Sequence, residues 1–153
     1  MMNSSSYAEH FMQRAIELSI KAKEANEVPV ACIIVDHHQI IASAFNQTVS
    51  RKSPLAHAEM IALEEASSVK GDWRLNDCDL FVTMEPCLMC WGAIQIARIR
   101  SVYYGVDNPK TGAWSGPSPI STEGLNTFCF HGILEHRIKE ILGDFFEDKR
   151  RGG

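Results

Sequence analysis

Residues 79–98 read "DLFVTMEPCLMCWGAIQIAR", and this stretch decides the class of fold. Its first seven residues, 79–85, are mostly apolar and include β-branched side chains, which predicts a strand. Pro86 then marks the change from strand to helix, because proline is favoured in the first turn of a helix. The residues that follow predict a helix from Cys87 to about residue 98. A strand that passes through one proline into a helix is typical of α/β domains.

Strand-like and helix-like segments alternate along the rest of the chain. Ser6 and Glu9 have the spacing of a capping box, and apolar residues follow at helical spacing, so the first helix is predicted to begin at Ser6. The stretch 107–127 is rich in glycine, proline and serine and predicts a long, functional loop. The whole pattern predicts a single α/β domain with a mixed sheet. Helices are predicted over 6–25, 54–68, 87–98 and 133–149, and strands over 28–36, 40–46, 79–85, 101–106 and 126–130.

The composition is that of an ordinary globular protein. With 153 residues the chain has the size of one domain and can bury a core without disulfides. Hydrophobic residues make up 45% and charged residues 22%, which argues against a disordered or membrane class. The apolar runs are too short to span a bilayer and the first residues do not form a signal peptide, so we expect the cytoplasm. The net charge of −4 means that a polyanion would have to be bound by a local basic patch.

Two short motifs place potential metal ligands at the beginning of predicted helices. Cys87 and Cys90 lie about 60° apart around a helix, so both thiolates can bind one metal ion from a single turn. His57 is the third candidate ligand, in a helix predicted to begin at Pro54. Two helix N-termini that converge on one site would favour thiolate over thiol.

The number of ligands separates a catalytic zinc site from a structural one. Structural zinc has four protein ligands, whereas catalytic zinc has three and leaves one position for water. One histidine and two cysteines make three, and Glu59 is the carboxylate that could carry protons for an activated water. Taken alone, C-x-x-C could be a redox pair or half of a zinc knuckle, and these residues could also be ordinary core residues. The remaining cysteines stand singly in the sequence and are Cys32, Cys78 and Cys129.

Together the two motifs form H-x-E … P-C-x-x-C, the signature of zinc-dependent nucleobase deaminases. Beyond this signature the chain resembles the bacterial tRNA adenosine deaminase family, which belongs to the cytidine deaminase superfamily. The resemblance implies a three-layer α/β/α fold with a central mixed five-stranded sheet, one Zn²⁺ per chain and a homodimer. It also implies conversion of the wobble adenosine of a tRNA anticodon to inosine. The stretches that carry it are, in order, "EVPVACIIV", "FNQTVSRKSPLAHAEM", "WRLNDCDLFVTMEPCLMCWGAI", "GVDNPKTGAWSG" and "GDFFEDKRR".

The resemblance also implies roles for individual residues. Glu59 is expected to be the catalytic proton shuttle, and Asn46 to hydrogen-bond the flipped base. Helical spacing alone places Phe145 and Phe146 in the core, whereas the resemblance puts an aromatic of this pair near the RNA, and Phe146 is our candidate. The zinc ligands are expected to be His57, Cys87 and Cys90, the pocket walls Val28 and Val30, and the contacts to flanking RNA Arg51, Lys52, Asn108 and Lys110.

Other readings of the sequence stay open. The zinc site is shared across the superfamily, so a deaminase of a free base or nucleoside, of the guanine or cytosine type, is the main alternative. A zinc or redox interaction module would leave Glu59 without a role. The predicted helix at 87–98 is apolar around nearly its whole circumference, so it is either buried on all sides or packed on a partner, and the second option fits a homodimer.

Overall fold

The computed structural model describes residues 3–121 and 125–152, and its centre is one five-stranded sheet with the strand order β2-β1-β3-β4-β5. β1 is antiparallel to β2 and β3, whereas β3, β4 and β5 run parallel. The predicted α/β class with a mixed sheet is therefore confirmed. In chain order the elements are α1 (Ser4–Glu24), β1 (Ala31–Asp36), β2 (Gln39–Phe45), α2 (Ala58–Lys70), β3 (Cys78–Met84), α3 (Leu88–Ile96), β4 (Ser101–Val106), β5 (Phe128–Phe130) and α4 (Glu135–Gly152).

The two central strands are apolar on both faces, as strands covered on both sides must be. β1 pairs with β3, with Cys32 opposite Val82. Cys32 belongs to the core cluster that includes residues of α2 and α3. Its neighbour Ile33 belongs to a different cluster, together with Phe11 of α1. Because successive side chains of a strand point to opposite faces, β1 joins two cores.

The helices form two layers, one on each face of the sheet. Residues of α2 and α3 pack with the sheet in one cluster. Residues of α1 and α4, including Met12 and Ile138, pack together in another. The predicted α/β/α arrangement is thus observed. None of the helices in the described residues combines the length and the hydropathy needed to cross a membrane.

Helices α2 and α3 begin later than predicted, and the difference matters for the site. α2 begins at Ala58 instead of Pro54, because residues 53–56 form a turn in which the N–H of Ala56 donates to the carbonyl of Ser53 at 3.2 Å. His57 is the N-cap residue of α2, and Cys87 is the N-cap residue of α3. Both have extended backbone angles, so neither belongs to a first helical turn.

The N-terminal boundaries of α1 and β1 also differ from the prediction. The N-cap of α1 is Asn3, whose side chain accepts the N–H of Ser6, so the predicted capping box at Ser6 is wrong. β1 begins at Ala31, and residues 28–30 are not part of a strand. Between β4 and β5 the described part of the predicted loop has no helix or strand, although an isolated bridge joins Gly112 to Cys87. Residues 122–124 of that loop lie outside the described residues.

Candidate active site

Three potential metal ligands meet where α2 and α3 begin. The Nδ1 atom of His57 lies 3.6 Å from Sγ of Cys87 and 3.4 Å from Sγ of Cys90. A tetrahedral zinc ion with Zn–S of about 2.3 Å and Zn–N of about 2.0 Å would hold its sulfur and nitrogen ligands about 3.5 Å apart. The ligand atoms of all three residues lie within 4.8 Å of one another. The observed distances therefore fit a shared zinc ion, and they assign Nδ1 of His57 as its ligand atom.

Local folding explains why the ligands converge. β3 ends at Met84, and Pro86 turns the chain so that Cys87 caps α3 and Cys90 lies in its first turn. On the neighbouring helix, His57 occupies the N-cap position. The N–H groups at both helix ends point towards the site, where their partial positive charge favours anions. Such a field stabilises the thiolate form of cysteine, which is the form that binds metals.

The protein groups alone shift the protonation of this cluster. The hydrogen bond from Cys90, together with His57, lowers the pKa of Cys87 to about 4, against the effect of burial. The contact with Cys87 in turn raises the pKa of Cys90. Hydrogen bonding to Cys87 also raises the pKa of His57. The groups around the cluster therefore favour the thiolate form of Cys87.

Glu59 lies in the first turn of α2, and its side chain is 4% exposed. Burial raises the pKa of this carboxyl group to about 7. His57 precedes the helix as its N-cap and Glu59 lies in the first turn, so both residues are at the end of α2 that faces the site. The structure shows this arrangement, since both residues line one cavity.

The cavity has a volume of about 260 Å³ and opens beside the metal ligands. Asn46 lines it at the end of β2, and its side-chain oxygen is buried without a hydrogen-bond partner among the described residues. A buried acceptor without a partner is unfavourable by about 1 to 3 kcal/mol, so this oxygen is ready to accept a hydrogen bond from a ligand. The full lining consists of Val28, Val30, Asn46, Thr48, His57, Ala58, Glu59, Met84, Glu85, Cys87, Asn108 and Thr111.

The loop after β4 is held against the cavity by Glu85, whose carboxylate is 2% exposed. It accepts the N–H of Asn108 at 3.1 Å, the N–H of Trp114 at 2.8 Å and the N–H of Ser115 at 3.0 Å. The Ser115 hydroxyl also donates to it. Gly112 passes so close to Glu85 that a Cβ atom at this position would clash with the carboxylate.

The candidate substrate residues fall into two groups. Val28, Val30 and Asn46 line the cavity, as a contact with the base requires, and Asn108, a candidate for contact with flanking RNA, lines it too. The other candidates lie outside its lining. Arg51 donates from Nε to the side-chain oxygen of Gln47 at 2.9 Å, and Lys52 is exposed. Lys110 borders a neighbouring shallow cavity next to Cys87, and Phe146 is 44% exposed. Their contacts with RNA stay predictions.

Several cavity residues were missed by the sequence interpretation, among them Thr48, Met84, Glu85 and Thr111. Glu85 had the clearest signal, because it is a carboxylate placed at the end of an apolar strand and two residues before a metal ligand. Thr48 and Thr111 carry no comparable signal, since threonine in a loop is ordinary.

Comparisons with known proteins agree with this site. Residues 5–106 match the model of the cytidine and deoxycytidylate deaminase zinc-binding region. A tRNA-specific adenosine deaminase of Streptococcus pyogenes serotype M18 is 40% identical over 92% of this chain and 91% of its own length. A solved structure from studies of A-to-I editing by tRNA deaminases at the wobble position is 37% identical, with a TM-score of 0.81, over 87% of this chain and 99% of the other.

A guanine deaminase structure from Bacillus subtilis is also similar, at 37% identity and a TM-score of 0.63. It covers 69% of this chain and 66% of that one. The two tRNA adenosine deaminase relatives therefore cover a larger share of this chain, and of their own length, than the guanine deaminase structure does. With three potential metal ligands within 4.8 Å of one another and a match along nearly the whole length, the chain belongs to the zinc-binding cytidine and deoxycytidylate deaminase family and, within it, to the tRNA-specific adenosine deaminases.

Proposed function

We propose that the chain catalyses the hydrolytic deamination of adenosine to inosine at the wobble position of a tRNA anticodon. The observation that carries this proposal is the 40% identity with a tRNA-specific adenosine deaminase over 92% of the chain. The volume of the cavity supports it. At about 260 Å³ it lies below the range of about 300 to 1,000 Å³ for drug-sized ligands, which suits a single base.

His57, Cys87 and Cys90 would hold the zinc ion. A zinc ion with three protein ligands supplies Lewis acidity, which makes water a nucleophile at neutral pH. The protein would hold the three ligand atoms at fixed positions at the ends of two helices. It would also leave the cavity beside them open to the base.

Glu59 is proposed to move the protons. It takes one proton from the attacking water and delivers it to N1 of the base while the water oxygen bonds to C6. It then takes the second proton from that oxygen and passes it to the amino group. The bond between C6 and the amino nitrogen breaks, and ammonia leaves. Adenosine and water thus give inosine and ammonia, and Glu59 returns to its initial state.

Asn46 and the apolar wall are proposed to orient the base. The unpartnered oxygen of Asn46 can accept a hydrogen bond that is lost when the base is absent or misplaced. Val28 and Val30 line the same cavity and would contact the faces of the ring. A base that enters the cavity must leave its stack, so these contacts have to offset an unstacking free energy of a few kcal/mol.

Affinity for the rest of the anticodon loop is proposed to come from residues around the mouth of the cavity. Arg51 and Lys52 follow Thr48, which lines the cavity, and Lys110 precedes Thr111, which also lines it. Because the net charge is −4, these cations must act locally on phosphates. Asn108 is proposed to contact the RNA backbone, and the exposed ring of Phe146 to contact a neighbouring nucleotide.

We also propose a homodimer formed through α3. Leu88 is 47% exposed and Ile96 is 73% exposed, and Gly92 lies between them on the same face of the helix. Exposed apolar side chains that share one helix face are typical of a protein–protein interface, which supports a second copy of the chain on this face. Ile96→Glu should convert the dimer to a monomer in sedimentation equilibrium, and an unchanged dimer would show that another face is used.

The chain is further proposed to act as one domain in the cytoplasm. All four helices pack on a single sheet, which supports the single domain. The location rests on the proposed substrate, since tRNA is processed and used in the cytoplasm.

The choice of substrate tests the proposal. Zinc-loaded chain should be given, in separate assays, an anticodon stem-loop with adenosine at the wobble position, free adenosine, and free guanine. The stem-loop should be deaminated at a far higher kcat/KM, because flanking nucleotides contribute binding that a free base does not have. Guanine is included because of the similarity to a guanine deaminase structure. Efficient release of ammonia from guanine instead of the stem-loop would contradict the proposal.

A further inference from the structure

Glu27 is a buried carboxylate to which the proposed reaction gives no role. It follows the end of α1, and its side chain is 1% exposed. One carboxylate oxygen accepts the N–H of Val49 at 3.1 Å, and the other accepts the N–H of Ser50 at 2.7 Å. The Ser50 side chain also hydrogen-bonds this carboxylate, so these partners all lie in one distant segment.

The energetics show that these hydrogen bonds are needed. A buried carboxylate is unfavourable by several kcal/mol unless hydrogen bonds compensate for the lost hydration. Burial by itself would raise the pKa of Glu27, but the hydrogen bonds from Ser50 and Val49 outweigh it and hold the pKa below the usual value. Glu27 is therefore ionised at neutral pH, and its charge is stabilised by the segment that it contacts.

That segment, residues 47–53, is a short turn whose other hydrogen bonds are local, made within it or to residues 55 and 56; the N–H of Gln47, for example, donates to the carbonyl of Ala56 at 2.9 Å. The N–H of Arg51 donates to the carbonyl of Gln47 at 2.9 Å, as in one turn of a helix. The first N–H groups of such a turn have no partner within it, and Glu27 accepts two of them. Val49 at its centre is 66% exposed, so burial of apolar surface contributes little to the position of the segment.

Both ends of this contact adjoin residues of the cavity lining. Glu27 directly precedes Val28, and the segment that it holds contains Thr48; both of these neighbours line the cavity. The same segment carries Arg51 and Lys52. The carboxylate of Glu27 thus connects Val28, which lines the cavity, with the segment that carries Arg51 and Lys52, the two proposed phosphate contacts.

We propose that Glu27 is a positioning residue that fixes the segment 47–53 beside the cavity and thereby sets where Arg51 and Lys52 meet the RNA. This inference rests on the proposed function for its substrate. Glu27 itself does not touch the reacting atoms, so its loss should weaken binding of the RNA much more than it slows the chemical step. Zinc binding should not change, because the metal ligands lie on other elements.

Two variants and one control test this role. Glu27→Gln removes the charge at nearly constant size, and Glu27→Asp keeps the charge but shortens its reach. Glu24→Gln makes the same chemical change at an exposed position three residues earlier. Limited trypsin digestion reports the segment directly, since trypsin cleaves after Arg51 and Lys52. Zinc content, kcat and KM on the anticodon stem-loop are measured on the same preparations.

Cleavage after Arg51 and Lys52 should become about tenfold faster in Glu27→Gln, because a hydrogen bond to a charged group contributes about 1.5 to 3 kcal/mol. KM for the stem-loop should rise by about tenfold, with kcat within about threefold of wild type. The control should match wild type in every measurement. If Glu27→Gln does not fold, Glu27→Asp should show the same pattern at smaller size.

Unchanged cleavage in both Glu27 variants would overturn the proposal. Faster cleavage at all tryptic sites together with loss of zinc would also overturn it, because that pattern indicates a general loss of stability. Faster cleavage after Arg51 and Lys52 with an unchanged KM would overturn it as well. If the wild-type chain did not deaminate the stem-loop at all, the proposed function would fail separately. The digestion would then still decide whether Glu27 holds the segment.

Discussion

The Nδ1 atom of His57 lies 3.4 Å from the Sγ atom of Cys90, although 33 residues separate them in the sequence. This distance is the one that two ligands of a shared tetrahedral zinc would have, about 3.5 Å. Two helices that begin at the same point create it, since His57 caps α2 and Cys90 lies in the first turn of α3.

Removal of one ligand should therefore remove the metal. Wild-type chain should carry one zinc ion, and Cys90→Ala should lose most of it together with its deaminase activity, because only two protein ligands remain. Elemental analysis after dialysis against a weak chelator measures the loss. Cys129→Ala, which changes an exposed cysteine, is the matched control and should keep its zinc. Full zinc occupancy in Cys90→Ala would refute the ligand assignment.

Replacement of Glu59 should separate metal binding from turnover. Glu59→Ala should keep its zinc and its fold and lose about 100-fold to 10,000-fold in kcat, the usual contribution of a positioned proton-transfer group. Glu64→Gln, at an exposed position on the same helix, should behave as wild type. A Glu59→Ala chain that turns over at nearly the wild-type rate would mean that another group carries the protons.

The buried oxygen of Asn46 should matter for the substrate and not for the metal. Asn46→Ala should lower kcat/KM on the stem-loop by roughly 5-fold to 150-fold, which corresponds to about 1 to 3 kcal/mol for one hydrogen bond in a buried site. Asn76→Ala, at an exposed position, is the control. Equal kinetics for the Asn46 variant and wild type would show that this oxygen does not contact the base.

Added salt should weaken the binding of RNA, because Arg51 and Lys52 are proposed to bind its phosphates. The logarithm of the affinity for a single-stranded loop falls with the logarithm of salt concentration by about 0.7 for each phosphate contacted. The double variant Arg51→Ala with Lys52→Ala should reduce this slope by about 1.4 if each residue binds one phosphate, with zinc content unchanged. Arg14→Ala with Lys21→Ala, both exposed on α1, should leave it as in wild type. A slope that is the same in both double variants would remove Arg51 and Lys52 from the interface.

The sequence predicted the fold and the cluster of potential metal ligands because both depend on local patterns. The alternation of apolar strands and helices identified every element, and the spacing of Cys87 and Cys90 identified the pair of cysteines that the structure brings together with His57. The spacing could not show that His57 caps α2 instead of lying inside it, because Pro54 is equally acceptable in the turn that the structure contains. The role of Glu27 could not be predicted from the sequence for a different reason. Glu27 accepts backbone N–H groups 22 and 23 residues away, and backbone groups leave no trace in a sequence pattern.

The site of conversion in an RNA that offers several adenosines tests the proposed reaction and its substrate together. A tRNA with adenosine at the wobble position and further adenosines in the anticodon loop should be incubated with zinc-loaded chain and sequenced after reverse transcription, which reads inosine as guanosine. We expect conversion at the wobble position, with the other adenosines unchanged and with no conversion by Glu59→Ala. An unconverted wobble adenosine under conditions in which the same preparation deaminates free guanine would contradict this expectation.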